Sequence, residues 1–93
     1  MKRLNEFKKR FIKDGELISI PKKEKYKRDM LLYSILLFDS EREYTEAEVN
    51  RILAGFYSDY AILRRYLVDG GYLQRDERGL KYEVSNDPSD TES

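Results

Sequence analysis

The segment Tyr44-Thr45-Glu46-Ala47-Glu48-Val49 restricts this chain more than any other. Thr45 followed three residues later by Glu48 is a capping box. The threonine hydroxyl accepts from the backbone N–H of residue 48, and the glutamate carboxylate accepts from the N–H of residue 45. Tyr44 and Val49 stand where a hydrophobic staple pairs them across the cap, which sets the angle at which the chain enters the helix. A helix therefore starts at Glu46, and Val49, Ile52 and Leu53 give it one buried face up to Ala54. Gly55 stops it. Only Phe56-Tyr57-Ser58 separate it from the next helix, which Ser58 or Asp59 caps. That helix buries Leu63, Tyr66 and Leu67 and ends at Gly70-Gly71. Two helices joined by so short a turn, with glycine at its start, have the helix-turn-helix pattern.

The flanking segments complete an α+β layout. Downstream, Tyr72-Leu73-Gln74-Arg75 leads through Asp76-Glu77-Arg78-Gly79 into Leu80-Lys81-Tyr82-Glu83-Val84. Leu80, Tyr82 and Val84 alternate with Lys81 and Glu83, the period of a half-buried strand, so this is a C-terminal hairpin in the position of a wing. Upstream, Leu4, Phe7 and Phe11 predict an amphipathic helix over 3–13, ended by Asp14-Gly15. Leu17-Ile18-Ser19-Ile20 suits a short strand, and Pro21 suits the first turn of a helix running to about Phe38. The later half of that helix, residues 30–38, is apolar nearly all round and belongs in the middle of a core. The expected domain is a mostly helical winged helix-turn-helix spanning 1–85, with a polar, acidic, disordered tail over 86–93.

Composition removes several functions. The chain has 93 residues, room for one domain. It has no histidine and no cysteine, so the commonest acid–base group and the strongest protein nucleophile are both missing. Thiolate metal sites and disulfides are equally excluded, and no glycine-rich phosphate loop or zinc spacing occurs. The expectation is a protein that is not an enzyme and takes no cofactor or metal. The opening Met1-Lys2-Arg3-Leu4-Asn5-Glu6 lacks the apolar run of a signal peptide, and Ile35-Leu36-Leu37-Phe38 is too short to span a bilayer. A cytoplasmic protein with no membrane partner is expected.

The chain resembles a bacterial domain-of-unknown-function family, number 2087 in that series. The resemblance rests on Gly15, Pro21 and Lys23, on Tyr44-Thr45-Glu46-Ala47-Glu48-Val49-Asn50, and on the run from Asp59 through Arg64-Arg65-Tyr66-Leu67 to Gly70. Leu73, Arg75, Gly79 and Tyr82 fit as well. It implies a winged-helix-like domain whose relatives occur fused to helix-turn-helix transcriptional regulators or alone as short proteins. It brings no catalytic residue and no ligand.

Two surfaces carry chemistry. In a winged helix the second helix of the pair enters the major groove. With Leu63, Tyr66 and Leu67 inward, Ala61, Arg64, Arg65 and Val68 point outward, and arginine suits both guanine edges and phosphates. Ser58 at the helix start and Arg75, Arg78 and Lys81 on the wing add backbone contacts. Over 58–69, however, the two arginines are balanced by Asp59 and Asp69, a poor source of non-specific affinity. The alternative is internal pairing of Arg65 with Asp69 and packing of Arg64 over Tyr60.

The second surface is Lys22, Lys23, Lys25, Lys27 and Arg28 at the start of the second helix. It is a candidate anion-binding site, or else a solvated face softened by Glu24 and Asp29. The leading expectation is a transcription-related module that binds double-stranded DNA. The alternative is a protein-interaction or homodimerisation module on the same scaffold, for which eight tyrosines offer interface side chains.

Overall fold

The computed structural model describes residues 2–85, with side chains described from Asn5 onward. The tail expected over 86–93, and the side chain of Leu4, lie outside the described residues. Helix α1 (Lys2–Phe11) buries Phe7 completely and lays Phe11 against it, ring centroids 5.4 Å apart. The helix ends two residues earlier than its apolar spacing predicts. Asp14 and Gly15 both take positive φ, 53° and 81°. That is the conformation of a two-residue hairpin turn whose twist matches its strands. Ile12 and Lys13 therefore leave the helix as strand β1 (Ile12–Lys13), paired antiparallel with β2 (Glu16–Leu17). Leu17 then donates its N–H to the carbonyl of Phe56 at 2.8 Å, docking this small ribbon on the turn of the helix-turn-helix pair.

Helix α2 (Glu24–Ile35) starts three residues after the buried Pro21, so the proline precedes the helix instead of forming its first turn. It also stops before Phe38. The N–H groups of Leu36, Leu37 and Phe38 bond to carbonyls three residues back, at 3.1–3.2 Å. That tightened turn sends Phe38 into the core, edge-on to Tyr44 with centroids 5.2 Å apart. The segment 30–38 is consequently not central on all sides. Tyr26, Met30 and Ser34, four residues apart, form the buried stripe, while Leu32, Leu36 and Leu37 are 36%, 70% and 41% exposed.

Strand β3 (Glu43–Thr45) leads directly into α3 (Glu46–Ala54). The capping box forms as its residues dictate: Glu48 N–H donates to Thr45 Oγ1 at 3.2 Å, and Thr45 N–H donates to Glu48 Oε1 at 2.9 Å. Tyr44 and Val49 are both buried in the core at that cap. Helix α4 (Tyr60–Asp69) follows, capped by Asp59, whose carboxylate accepts from Ile62 N–H at 3.4 Å. Strands β4 (Leu73–Arg75) and β5 (Lys81–Val84) form the hairpin. β5 is the middle strand of a three-stranded antiparallel sheet in the order β3-β5-β4, with Tyr44 opposite Tyr82.

The alternation expected in the last strand holds at Tyr82 and Val84 but not at Leu80, which is 56% exposed. Leu80 belongs to the turn. Its N–H, together with that of Lys81, is taken by the Asp76 carboxylate at 2.7 and 3.3 Å. The fold is α+β, with one core running from Phe7 and Met30 through Val49, Leu53, Leu63 and Leu67 to Leu73 and Tyr82. Among the described residues no helix is long and apolar enough to cross a membrane.

Candidate nucleic-acid interface

With Leu63 and Leu67 anchored in the core, the opposite side of α4 carries Ala61 and Arg65 outward. Between this side and the sheet lies an open groove of about 540 Å³. It is lined by Ala61, Arg64, Arg65 and Val68 of α4, by Arg75 of β4 and by Tyr82 of β5, with Asp59 and Asp69 also on its walls. Four of the sequence-predicted contacts, Ala61, Arg64, Arg65 and Arg75, therefore share one concavity.

The other three do not. Ser58 is exposed in the turn before α4, and Arg78 is exposed at the hairpin tip. Lys81 reaches across the sheet to Glu43, 3.6 Å away. Lys81 lines a smaller depression of about 150 Å³ with Arg75 and Tyr82, where Glu43, Asp76 and Glu83 make the surroundings acidic.

The two arginines of α4 differ in what they touch. Arg64 is only 24% exposed; its Nη1 donates to Asn50 Oδ1 and lies 3.6 Å from the Glu46 carboxylate. Its polar partners, Asn50 and Glu46, come from the neighbouring helix α3. The same Glu46 carboxylate accepts from the Tyr82 hydroxyl at 3.4 Å. Arg64 is thus a brace joining α4 to α3 and, through Glu46, to the sheet. Arg65 is 79% exposed and sits 3.9 Å from Asp69. So open a pair is worth a few tenths of a kcal/mol to about 1, and a phosphate can replace the carboxylate. Among the described residues Arg75 makes no ion pair.

Glu46, Asn50 and Tyr82 were missed as parts of this site. Their signal was present: Glu46 and Asn50 are four apart, so they share one side of α3. Asp76 was missed too. The N–H groups of Leu80, Lys81 and Gly79 hold its carboxyl below the usual carboxylate range, with the Arg78 charge adding to this. Its bonds fix the tip of the hairpin. Glu48 is lowered likewise, chiefly by the Thr45 N–H and then by the Arg42 guanidinium, 2.9 Å away.

The lysine-rich start of α2 lies elsewhere. Lys22, Lys23 and Arg28 are exposed. Lys25 Nζ stands 5.0 Å from the centre of the Tyr26 ring, and Arg10 of α1 approaches the same ring at 5.3 Å. Lys27 is 3.9 Å from Glu24 and 5.6 Å from the centre of the Tyr66 ring on α4. Tyr66 and Arg64 are two residues apart, about 200° around the helix. Lys27 therefore borders α4 on the flank away from Arg64. Most tyrosines pack into or against the core; Tyr60 is the one among the large exposed apolar side chains. Among the described residues no three carboxylates gather to hold a metal ion.

A family model described as an uncharacterized protein conserved in bacteria matches residues 16–84, from the start of β2 to the end of β5. No curated protein and no solved structure matches the chain.

Proposed function

The chain belongs to bacterial domain-of-unknown-function family 2087, and we propose that it works as a transcription-related DNA-binding module of the winged-helix type. The observation that carries this reading is the convergence of Ala61, Arg64 and Arg65 from α4 with Arg75 from the hairpin on one open groove. Helix α4 lies in the major groove with its outer side toward the bases. Ala61 permits close approach and offers a methyl to thymine, while Arg65 exchanges Asp69 for a base edge or a phosphate. Arg75 contacts the backbone of one strand. Arg64 is a positioning residue that holds α4 on α3. The module performs no catalysis and needs no cofactor in this reading.

The test is fluorescence anisotropy with a mixed-sequence duplex at low salt. Arg65→Ala with Arg75→Ala weakens binding about tenfold or more, as expected when two cationic side chains are removed. Unchanged affinity would overturn the assignment of the groove.

A second reading has its own observation. Leu32, Leu36 and Leu37 remain exposed on and just after α2, and an apolar cluster of that kind suits pairing of two copies or docking of a protein partner. Sedimentation velocity decides it: a strictly monomeric species at high micromolar concentration removes the homodimer.

A further inference from the structure

We infer that the lysine-rich edge formed by α1 and the start of α2 is a second phosphate-binding surface, which grips the DNA strand running along the Tyr66 flank of α4. This rests on the DNA-binding reading of α4 and adds where most of the affinity comes from.

Charge is segregated in this molecule. Residues 1–30 hold eleven Lys/Arg against five Asp/Glu, whereas residues 31–85 hold seven against ten. Within this part the two paired helices and the hairpin, residues 46–84, hold six Lys/Arg against seven Asp/Glu and so bring no surplus of positive charge to a duplex. Five acids cannot offset the eleven bases of the N-terminal part. Arg10 from α1 and Lys25 from α2 converge on one ring, that of Tyr26, at 5.3 and 5.0 Å. Among the described residues neither makes an ion pair, and nor do Lys22, Lys23 or Arg28. The carboxylates of the same elements leave this balance standing. Glu24 engages Lys27 at 3.9 Å, and Glu6 is one acid beside Lys9 and Arg10.

Position selects the partner. An α-helix with its side chains is about 10–12 Å across and the major groove about 12 Å wide, so the strands bordering the groove run along the two flanks of the inserted helix. Arg75 stands by the Arg64 side of α4. Lys27, 5.6 Å from the Tyr66 ring, stands by the other, and Lys23, four residues before it, starts the same side of α2, while Lys25 and Arg10 extend the edge toward α1. Lysine heads are point charges on flexible stems and suit phosphates, not base edges. The edge thus adds affinity and salt dependence without sequence preference.

The experiment is duplex binding by the full chain between about 50 and 200 mM salt, comparing log K against log salt for three proteins. Lys22→Gln with Lys23→Gln and Lys25→Gln flattens the slope by about 2–3, near 0.9 for each phosphate that is no longer neutralised. Because Lys25 packs on Tyr26, Lys22→Gln with Lys23→Gln alone serves as the second variant and flattens it by about 2. The third protein carries Arg65→Ala and Arg75→Ala.

An unchanged slope in both lysine variants, while the arginine variant binds less tightly, overturns the edge and leaves the α4 reading intact. Flattening in the lysine variants with no loss in the arginine variant upholds the edge and overturns the α4 reading. Absence of duplex binding by the unaltered chain overturns both. Capture on polyglutamate in place of DNA, abolished in the lysine variants, would assign the edge to an acidic protein partner instead.

Discussion

Arg64 on α4 and Arg10 on α1 are both arginines on the side of a short helix, yet their surroundings are opposite. Arg64 meets an amide oxygen and a carboxylate from the neighbouring helix and is three-quarters buried. Arg10 meets a tyrosine ring that Lys25 also approaches, and stays exposed. The contrast extends to the regions they belong to. In the helix-turn-helix pair and its sheet, Arg42, Arg64, Arg65 and Lys81 each face a carboxylate. In the N-terminal region Lys27 alone does so among the described residues. The first region pairs four of its seven cations with its own carboxylates; the second leaves most of its cations available to something outside. The same residue types thus hold elements together in one place and mostly stay unpaired in the other, and only their neighbours distinguish them.

The two regions nevertheless share one core, and the hardest test of the comparison is to cut it. Phe7 is fully buried and tilts against Tyr33 at 5.9 Å, and Tyr33 stacks on Phe56 at 5.4 Å. This run of rings crosses from α1 through α2 to the turn before α4. Phe7→Ala should cost about 3–5 kcal/mol, read as a single cooperative transition in urea by circular dichroism. Two separate transitions, with the helix-turn-helix half surviving the first, would mean that the N-terminal region is an attachment and not part of the same folding unit.

Within α4 the comparison sharpens to neighbours. Arg64→Ala removes a three-quarters-buried hydrogen-bonded charge and should cost about 1–2 kcal/mol. Arg65→Ala should change stability by no more than about 0.5 kcal/mol, since its pair with Asp69 is open to water. Equal costs at both positions in denaturant unfolding would remove the distinction between brace and contact.

How much of this was legible beforehand depended on the range of the interaction. The capping box and the bounds of α3 were readable because Thr45, Glu48 and Gly55 act within their own helix. The hairpin, too, was visible in the alternation around Tyr82. What failed was set by contacts between elements or by competing turns. Asp14-Gly15 looks like a helix stop, but its two positive φ angles make a hairpin that shortens α1. Strand β3 has three residues, too few for a period to show, and exists because β5 lies beside it. The uniformly apolar 30–38 segment hid the turn at Leu36–Phe38, since apolarity carries no direction when every side is apolar. In the candidate site, the clustering of Ala61, Arg64, Arg65 and Arg75 followed from the pattern. The brace from Arg64 to Asn50 and Glu46 depended on how two helices cross.

The smallest expected effect concerns charges that face their own backbone. Asp76 accepts from Leu80 and Lys81 N–H groups and lies in reach of Arg78, and these lower its pKa from the ordinary aspartate value. A carboxyl with a depressed folded pKa stabilises the fold fully above its unfolded value, and that contribution is lost as pH falls through the lower folded value. An NMR titration of the side-chain carboxyl should therefore show a midpoint for Asp76 below that of the same residue in urea. In Asp76→Asn the hairpin should lose this part of its acid sensitivity while the core stays intact. Because the group is exposed, the change in overall stability is slight, and the readout is the midpoint itself. A midpoint equal in folded and unfolded chains would mean that the hairpin tip is not held by its aspartate. The hairpin would then present Arg75 to the groove less rigidly than α4 presents Arg65, and the sheet region would lose part of its contrast with the open lysine edge.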